Sequence, residues 1–277
     1  NGTAGGSSPR RTLRKTVRLL LFFAVSLGMA SFLRATGWAL PRSRRHGYRH
    51  TLQTLWAKAV WRILRLEVGV RGICPPGGPF LVVSNHLGYL DIAVLSGVLP
   101  VTFVSKSEVR GWPFIGFLAR SAGTIFVARQ DRRQAKDFVD QVGGRLAAGE
   151  NVHVFPEGTS SRGETLLPFK TALFASVAAV PGSRVLPVRI DLLTVGGKTA
   201  SGGIRDIACW HGDMEFAPHF WSFVGSGGAR FRVRIGEPID GGSLDRKSIA
   251  QAAYRVIEDL GKSMVSERTL LPGNWIR

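Results

Sequence analysis

A histidine and an aspartate five residues apart form the first candidate catalytic pair in this chain of 277 residues. Both belong to the run 84–91 (SNHLGYLD), which follows an apolar segment, and Gly88 between them favours a turn. A carboxylate that accepts the N–H of one imidazole nitrogen leaves the other nitrogen free to act as a base. His86 and Asp91 could instead cap the start of a helix, and spacing alone leaves both interpretations open.

A second polar turn follows another apolar segment, over residues 155–163 (FPEGTSSRG). Its small residues offer backbone N–H groups, and Glu157 offers a carboxylate, so the turn could bind hydroxyl groups or an anion. The alternative is an ordinary connection between a strand and a helix, in which Glu157 is solvated.

Four segments together resemble the glycerophospholipid acyltransferase family, the PlsC-like family that includes 1-acyl-glycerol-3-phosphate acyltransferases. The family's N-H-x-x-x-x-D motif is at residues 85–91, and its G-x-I-F-[IV]-x-R strand is at 123–129. Its F-P-E-G-T motif is at 155–159, and its V-x-P-V strand is at 185–188. All four appear in the family's order, and the resemblance covers residues 68–240, most of the chain.

The resemblance implies transfer of a fatty acyl group from an acyl thioester, either acyl-CoA or acyl carrier protein, to the free hydroxyl of a lysolipid. His86 would take the proton from that hydroxyl, and Asp91 would orient His86 and stabilise the imidazolium. Glu157, Gly158 and Thr159 would bind the acceptor head group, and backbone N–H groups of their turn could stabilise the oxyanion. The reaction needs no metal and no cofactor beyond the thioester substrate.

Three basic residues are candidate ligands for a phosphate or carboxylate in the head group. Arg129 ends the second motif and is the first candidate, with Arg162 and Lys106 behind it. Arg129 could also form a surface ion pair with Asp131.

One position departs from the family pattern. Members that acylate glycerol-3-phosphate or lysophosphatidate commonly continue F-P-E-G-T-R-S, whereas Ser160 follows Thr159 here and the arginine comes later, as Arg162. If the family's arginine holds a phosphate, its displacement puts a phosphate-monoester acceptor in doubt. The Thr-Ser-Ser sequence and the stretch 210–221 resemble branches that acylate other lysolipids, such as lyso-ornithine lipid.

The elements that must position these motifs are those of an α/β domain. Short apolar segments rich in Val, Ile and Phe predict buried strands, and a strictly alternating segment predicts a half-exposed one. The predicted strands are 80–84, 101–105, 123–128, 151–155, 184–190 and 229–235. We therefore expect a mixed, mainly parallel sheet with helices on both faces, and ligands at the carboxyl ends of its strands.

Two helices can be delimited from capping residues and apolar spacing. Residues 131–148 predict a helix with Asp131 at its start and Gly149 after its end. Ser243 would cap a last helix that stops at Gly261.

Charge divides the chain into an N-terminal region and a body. The formal charge is +18, and residues 1–66 contain thirteen Lys and Arg but no Asp or Glu. Such an excess predicts an anionic partner. The segment Leu19–Leu33 is uncharged and apolar, and such a segment would not contribute to nucleic-acid binding. We therefore expect the anionic partner to be a membrane surface and not a nucleic acid.

Basic residues flank the segment Leu19–Leu33 on both sides. Because a single span carries its positive charge on one side, this symmetry favours a segment that enters and returns or lies in one interface over a true span. Leu52, Trp56, Val60 and Ile63 follow helical spacing, as in a basic amphipathic helix on an anionic membrane, although a helix packed on the body would look similar.

The predicted organisation is a flexible tail over 1–12, membrane-anchoring helices over 13–66 and an acyltransferase domain over 67–277. The expected location is the cytoplasmic face of the inner or plasma membrane, where the basic N-terminus could also attract acidic acyl carrier protein. Three alternatives to an acyltransferase are a non-catalytic protein that binds lipid or acyl carrier, a nucleic-acid-binding protein suggested by the charge alone, and a thioesterase in which the same base activates water.

Overall fold

The computed structural model describes residues 9–127, 132–242, 244–266 and 275–276. The described chain begins with a helical hairpin, α1 (Pro9–Gly37) and α2 (Arg42–Leu64). Because α1 begins at Pro9, the tail predicted over 1–12 is wrong for its last four residues.

A ten-stranded sheet forms the centre of the molecule. Its main path runs β10-β1-β8-β6-β2-β5-β3-β4, and β7 and β9 pair with β6. Five strand pairs are parallel and four are antiparallel, so the predicted mixed, mainly parallel sheet is confirmed. The strands are β1 (Leu66–Arg71), β2 (Phe80–Ser84), β3 (Thr102–Lys106), β4 (Ile125–Val127), β5 (Val152–Val154), β6 (Arg184–Val195), β7 (Lys198–Thr199), β8 (Ala229–Ile235), β9 (Ile239–Asp240) and β10 (Trp275–Ile276).

Helices cover both faces of this sheet, as predicted. Alternate residues of β2 show the two layers: Val82 belongs to one buried apolar cluster, and Leu81 and Val83 belong to the other. The first cluster includes residues of α2, α3 and α7, and the second includes residues of α5 and α8. The helices after the hairpin are α3 (Leu90–Ser96), α4 (Pro113–Ser121), α5 (Arg132–Ala147), α6 (Ala175–Ala178), α7 (Phe216–Val224) and α8 (Arg246–Ser266).

Of the two predicted helix ends, the structure confirms that of α5 and contradicts that of α8. Helix α5 stops before Gly149, which has a φ of +81° and therefore suits glycine. Helix α8 instead continues through Gly261 to Ser266, so its predicted end is wrong. Gly261 lies inside this helix and allows close packing there, because a Cβ would lie only 3.2 Å from the Arg189 guanidinium carbon.

The starts of the same two helices were predicted at Asp131 and Ser243, which lie outside the described residues. For α8 the structure supplies a different cap. The Asp245 carboxylate accepts the backbone N–H groups of Lys247 at 2.7 Å and Ser248 at 2.9 Å. Asp245 is therefore the N-cap that the sequence interpretation missed.

Helix α2 packs against the body of the molecule instead of lying free on a surface. Val60, Trp61 and Leu64 are buried in the first cluster, and the Trp61 indole N–H donates to the Ala93 carbonyl at 2.9 Å. The alternative of a helix packed on the body therefore describes α2. Its buried side includes Trp61, which was not part of the predicted apolar stripe.

Helix α1 is the more exposed partner of the hairpin. It has the length and apolar composition that a membrane span would need, properties that core helices and signal sequences can share. Its inner side packs on the body, where Phe22 contacts Phe220 of α7 with ring centroids 5.0 Å apart. Its outer side leaves large apolar side chains in solvent, including Leu13, Leu20, Leu21 and Phe32.

Candidate active site

The predicted histidine motif begins where β2 ends, at the carboxyl edge of the sheet. Its asparagine fixes the start of the loop to the neighbouring strand. The Asn85 amide donates to the Ile190 carbonyl at 2.9 Å, and its oxygen accepts the Ile190 N–H at 2.8 Å. The Asn85 side chain thus forms with Ile190 the two hydrogen bonds that a paired backbone residue would form with β6. These bonds fix the position of His86, the next residue.

His86 and Asp91 meet as the spacing predicted. The His86 Nδ1 lies 2.8 Å from Asp91 Oδ2, and the Asp91 side chain is fully buried. The same oxygen accepts the backbone N–H groups of Leu87 at 2.6 Å and Gly88 at 3.0 Å. Because an ionised carboxylate only accepts hydrogen bonds, Nδ1 carries the proton and Nε2 is left free as a base.

The His86 ring is held on its flat side by Phe155. The two rings are stacked, with centroids 3.7 Å apart and an interplanar angle of 17°. Two groups therefore limit rotation of the imidazole, the carboxylate at its edge and the phenyl ring on its face.

Glu157 binds the backbone of His86 and does not line the cavity. Its Oε1 accepts the His86 backbone N–H at 2.9 Å, and its Oε2 accepts the Leu167 N–H at 3.2 Å. The side chain is buried, and this burial raises its pKa to about 7, against the opposing effect of the two N–H groups. This differs from the sequence prediction that Glu157 binds the head group, since both of its oxygens are already engaged by backbone.

The raised pKa of Glu157 predicts how its contribution to stability depends on pH. A carboxyl with a folded pKa near 7 stabilises the fold below its unfolded pKa, and this contribution is lost as the pH rises through about 7. We expect the free energy of unfolding of the wild type, relative to Glu157→Gln, to fall by about 3 kcal/mol between about pH 4.5 and pH 8.

Denaturant unfolding at both pH values measures this difference. Glu237→Gln, at an exposed glutamate, is the matched control and should show no such change. A pH-independent difference between the wild type and Glu157→Gln would contradict the assignment.

Gly158 allows a lysine to lie over the turn. Its φ is +75°, and a Cβ at this position would lie 2.6 Å from the Lys170 Nζ. The backbone N–H of Lys170 also donates to the Pro156 carbonyl at 2.8 Å. Sequence reasoning missed Lys170, because no spacing in the segment that contains it marks it as part of the site.

The His86 ring and this turn open into one large cavity with a volume of about 1120 Å³. Most of its wall is apolar and comes from α1, α2, α4 and the loops beside the sheet. Its polar wall residues include Thr159, Ser160, Lys106, Lys170 and His211, as well as Gln53 and Glu108. The cavity therefore combines a large apolar space with several polar side chains, and His86 lies in its wall.

The three predicted basic ligands have different outcomes. Lys106, at the end of β3, lines the cavity. Arg162 does not appear among the wall residues, and its guanidinium is bound to the Asp206 carboxylate through two contacts of 2.7 and 2.6 Å. Arg129 lies outside the described residues.

Across the described ranges, no cluster of three or more His, Cys, Asp or Glu side chains could hold a metal ion.

Comparison with known proteins places the chain in a family. A family model described as "Acyltransferase" matches residues 65–191, which include the histidine pair and the glutamate turn. The lyso-ornithine lipid O-acyltransferase of Rhizobium meliloti (strain 1021) is 37% identical over 83% of this chain and 78% of its own length. The 1-acyl-sn-glycerol-3-phosphate acyltransferase of Neisseria gonorrhoeae is 41% identical over 51% of this chain and 55% of its own length.

The fold has a counterpart among solved structures. The crystal structure of the 1-acyl-sn-glycerophosphate acyltransferase PlsC from Thermotoga maritima matches with a TM-score of 0.63 and 22% identity. The match covers 91% of this chain and 98% of that one. The chain belongs to the PlsC-like family of acyltransferases, and it is an O-acyltransferase of lysolipids.

Proposed function

We propose that this protein moves a fatty acyl group from an acyl thioester to the free hydroxyl of lyso-ornithine lipid, with lysophosphatidate as the second candidate acceptor. The observation that carries the proposal is His86, which lies in the wall of a large apolar cavity and contacts the buried Asp91 at 2.8 Å. Two facts favour lyso-ornithine lipid: the alignment with the Rhizobium meliloti enzyme over most of both chains, and Ser160 where lysophosphatidate enzymes commonly carry arginine.

In the proposed reaction the acceptor hydroxyl attacks the thioester carbonyl carbon directly. His86 Nε2 removes the hydroxyl proton as the new C–O bond forms, and the carbonyl oxygen becomes an oxyanion. Collapse of this intermediate breaks the C–S bond, and the imidazolium returns the proton to the leaving thiolate. Asp91 stabilises the imidazolium between these two steps.

The oxyanion requires hydrogen-bond donors near His86. Gly158 is a poor candidate because its N–H donates to the Phe155 carbonyl at 3.1 Å. Thr159 and Ser160 line the cavity, and their backbone N–H groups meet no acceptor within the described part of the chain. We assign the oxyanion to these two N–H groups, assisted by the positive charge of Lys170.

The apolar part of the cavity would hold the acyl chain. Phe22, Phe23 and Leu33 of α1 and Trp56 of α2 contribute to its wall. The hairpin would therefore bind substrate as well as anchor the protein.

The same hairpin supports a peripheral location on the cytoplasmic face of an anionic membrane. Arg11 and Arg18 of α1 donate to the carbonyl groups of Gly225 and Val224 at 3.4 and 3.1 Å, so α1 lies along the body. Its exposed apolar side chains and basic flanks suit an interface. A helix that both lines the cavity and binds the body in this way is better placed in one leaflet than across the bilayer.

An acyl-transfer assay tests this function. Purified protein in vesicles that contain anionic lipid is given labelled acyl-CoA or acyl carrier protein, each with lyso-ornithine lipid, lysophosphatidate or lysophosphatidylglycerol. The proposal predicts a diacyl product from lyso-ornithine lipid with at least one donor. Free fatty acid without an acylated acceptor would favour a thioesterase, and no turnover would favour a non-catalytic protein.

Ser160→Arg is expected to shift the acceptor preference. Ser160 lines the cavity beside the catalytic turn, and a guanidinium there could bind a phosphate through two hydrogen bonds. We expect kcat/KM for lysophosphatidate to rise about tenfold, with no gain for lyso-ornithine lipid. Ser160→Met, long but uncharged, is the control. An equal gain in both variants would show that charge is not responsible.

A further inference from the structure

Asp206 forms an ion pair with Arg162, so Arg162 is not a free cation near the active site. Its carboxylate binds the guanidinium through both oxygens, Nε to Oδ1 at 2.7 Å and Nη2 to Oδ2 at 2.6 Å. The Arg162 carbonyl is held as well, since it accepts the Arg205 Nε–H at 2.6 Å. Arg162 is thus fixed at both ends, and its charge is compensated.

The same carboxylate orients a histidine that does reach the cavity. His211 Nε2 lies 2.9 Å from Asp206 Oδ1, and His211 forms part of the cavity wall. Partial burial of Asp206 opposes ionisation, but hydrogen bonds from His211 and Arg162 outweigh it and hold the pKa of Asp206 below its ordinary value. An ionised Asp206 only accepts, so Nε2 carries the proton and Nδ1 of the neutral ring is an acceptor.

This cluster of Arg162, Asp206 and His211 is attached directly to the catalytic loop. The backbone N–H of Trp210 donates to the Leu87 carbonyl at 2.9 Å, and the N–H of Ser161 donates to the His86 carbonyl at 2.9 Å. The segments that carry His211 and Arg162 therefore lie on either side of the residue that holds the base. A head group whose hydroxyl approaches His86 would lie close to His211.

Two cations of the cavity wall and one carboxylate next to the wall are therefore candidates to bind a head group. Lys106 and Lys170 are exposed wall residues that form no ion pair with another described residue. Asp206 is not itself a wall residue, but it carries the opposite charge and contacts the wall residue His211. Its Oδ2 accepts only the Arg162 hydrogen bond from the described residues. A phosphate monoester could use only the cations, whereas a head group with a carboxylate and an ammonium could use both.

We propose that Asp206 and His211 form a subsite for the cationic group of a zwitterionic, amino-acid-type head group, and that Asp206 also withholds Arg162 from a phosphate. The ammonium would donate to His211 Nδ1 or to Asp206 Oδ2, while Lys106 and Lys170 bind the carboxylate. Asp206 is then a specificity residue that selects one lysolipid class and disfavours another. This inference rests on the proposed function and names the part of the acceptor that is recognised.

The test compares lyso-ornithine lipid with the same molecule acetylated on its side-chain amine, and both with lysophosphatidate. Acetylation removes the positive charge, and we expect it to lower kcat/KM of the wild type about tenfold or more. Asp206→Asn should cause a similar loss with the free amine and should make the enzyme insensitive to acetylation. The same variant should gain activity several-fold on lysophosphatidate, because Arg162 is released. The gain should disappear in the double variant Arg162→Gln, Asp206→Asn.

The outcomes distinguish a failure of the proposed subsite from a failure of the proposed acyltransferase function. A wild-type enzyme that is insensitive to acetylation overturns the proposal, and this comparison requires no variant to fold. Equal losses on all three acceptors in Asp206→Asn, with an unchanged melting temperature, would also overturn it, since they indicate general damage to the site. A wild type without activity on any acceptor would overturn the proposed function, and the subsite with it.

Discussion

Replacing His86 by alanine should lower acyl transfer about 10³-fold or more, because the variant has no group that can take the proton from the acceptor hydroxyl. The loss should appear in kcat with both thioester donors, since proton removal is common to both. The fold should survive, because the His86 backbone N–H that Glu157 binds is unchanged by the substitution. Steady-state kinetics with a thermal unfolding curve measure both properties.

His50→Gln provides the matched control. His50 is a partly buried histidine of α2 that does not line the cavity, and its ring contacts Gln53 at 3.1 Å. It should retain wild-type activity. Activity above about 5 per cent of wild type in His86→Ala would exclude His86 as the general base.

Asp91→Asn should lose about 10³-fold in kcat while keeping the geometry of the pair. One Asp91 oxygen accepts all three hydrogen bonds, and the other has no partner in the described ranges. An asparagine can place its oxygen at the first position and its amide at the second, so the His86 tautomer is preserved. The loss would be the charge that stabilises the imidazolium, about 4 kcal/mol at a separation near 4 Å.

Asp91→Ala separates charge from position. It removes the acceptor of the Leu87 and Gly88 N–H groups, so it should lower the melting temperature more than Asp91→Asn, which keeps that acceptor and leaves only its amide N–H groups unpaired. Asp91→Asn activity within tenfold of wild type, by contrast, would show that Asp91 acts only by orienting the ring.

The strands whose limits could be predicted are those with one or both faces apolar. Strands β2 and β8 have the predicted limits, since their runs of buried side chains are visible in the sequence. Strand β6 continues past the predicted end because its polar residue Asp191 is buried in an ion pair with Arg234 of β8. Strand β1 was missed because Glu67 and Gly69 interrupt its pattern, and its partner β8 is distant in the chain.

The contact between His86 and Asp91 could be predicted because they are five residues apart and Gly88 favours a turn between them, although the spacing alone did not separate a catalytic pair from a helix cap. The roles of Glu157 and Arg162 could not, since they depend on where each side chain turns. Glu157 points back to the catalytic loop, and Arg162 binds Asp206, which is 44 residues away in sequence. Lys170 lies close over Gly158, where a Cβ would force the end of the lysine side chain to move, and no spacing in the sequence shows this contact.

The most direct test of the central claim follows the oxygen atom of the acceptor. Lyso-ornithine lipid with ¹⁸O in its free hydroxyl is incubated with acyl thioester and the wild-type protein in vesicles, and the products are analysed by mass spectrometry. Direct attack by the acceptor predicts a new ester that retains the ¹⁸O. Fatty acid that carries solvent oxygen, with the labelled acceptor unchanged, would contradict the account.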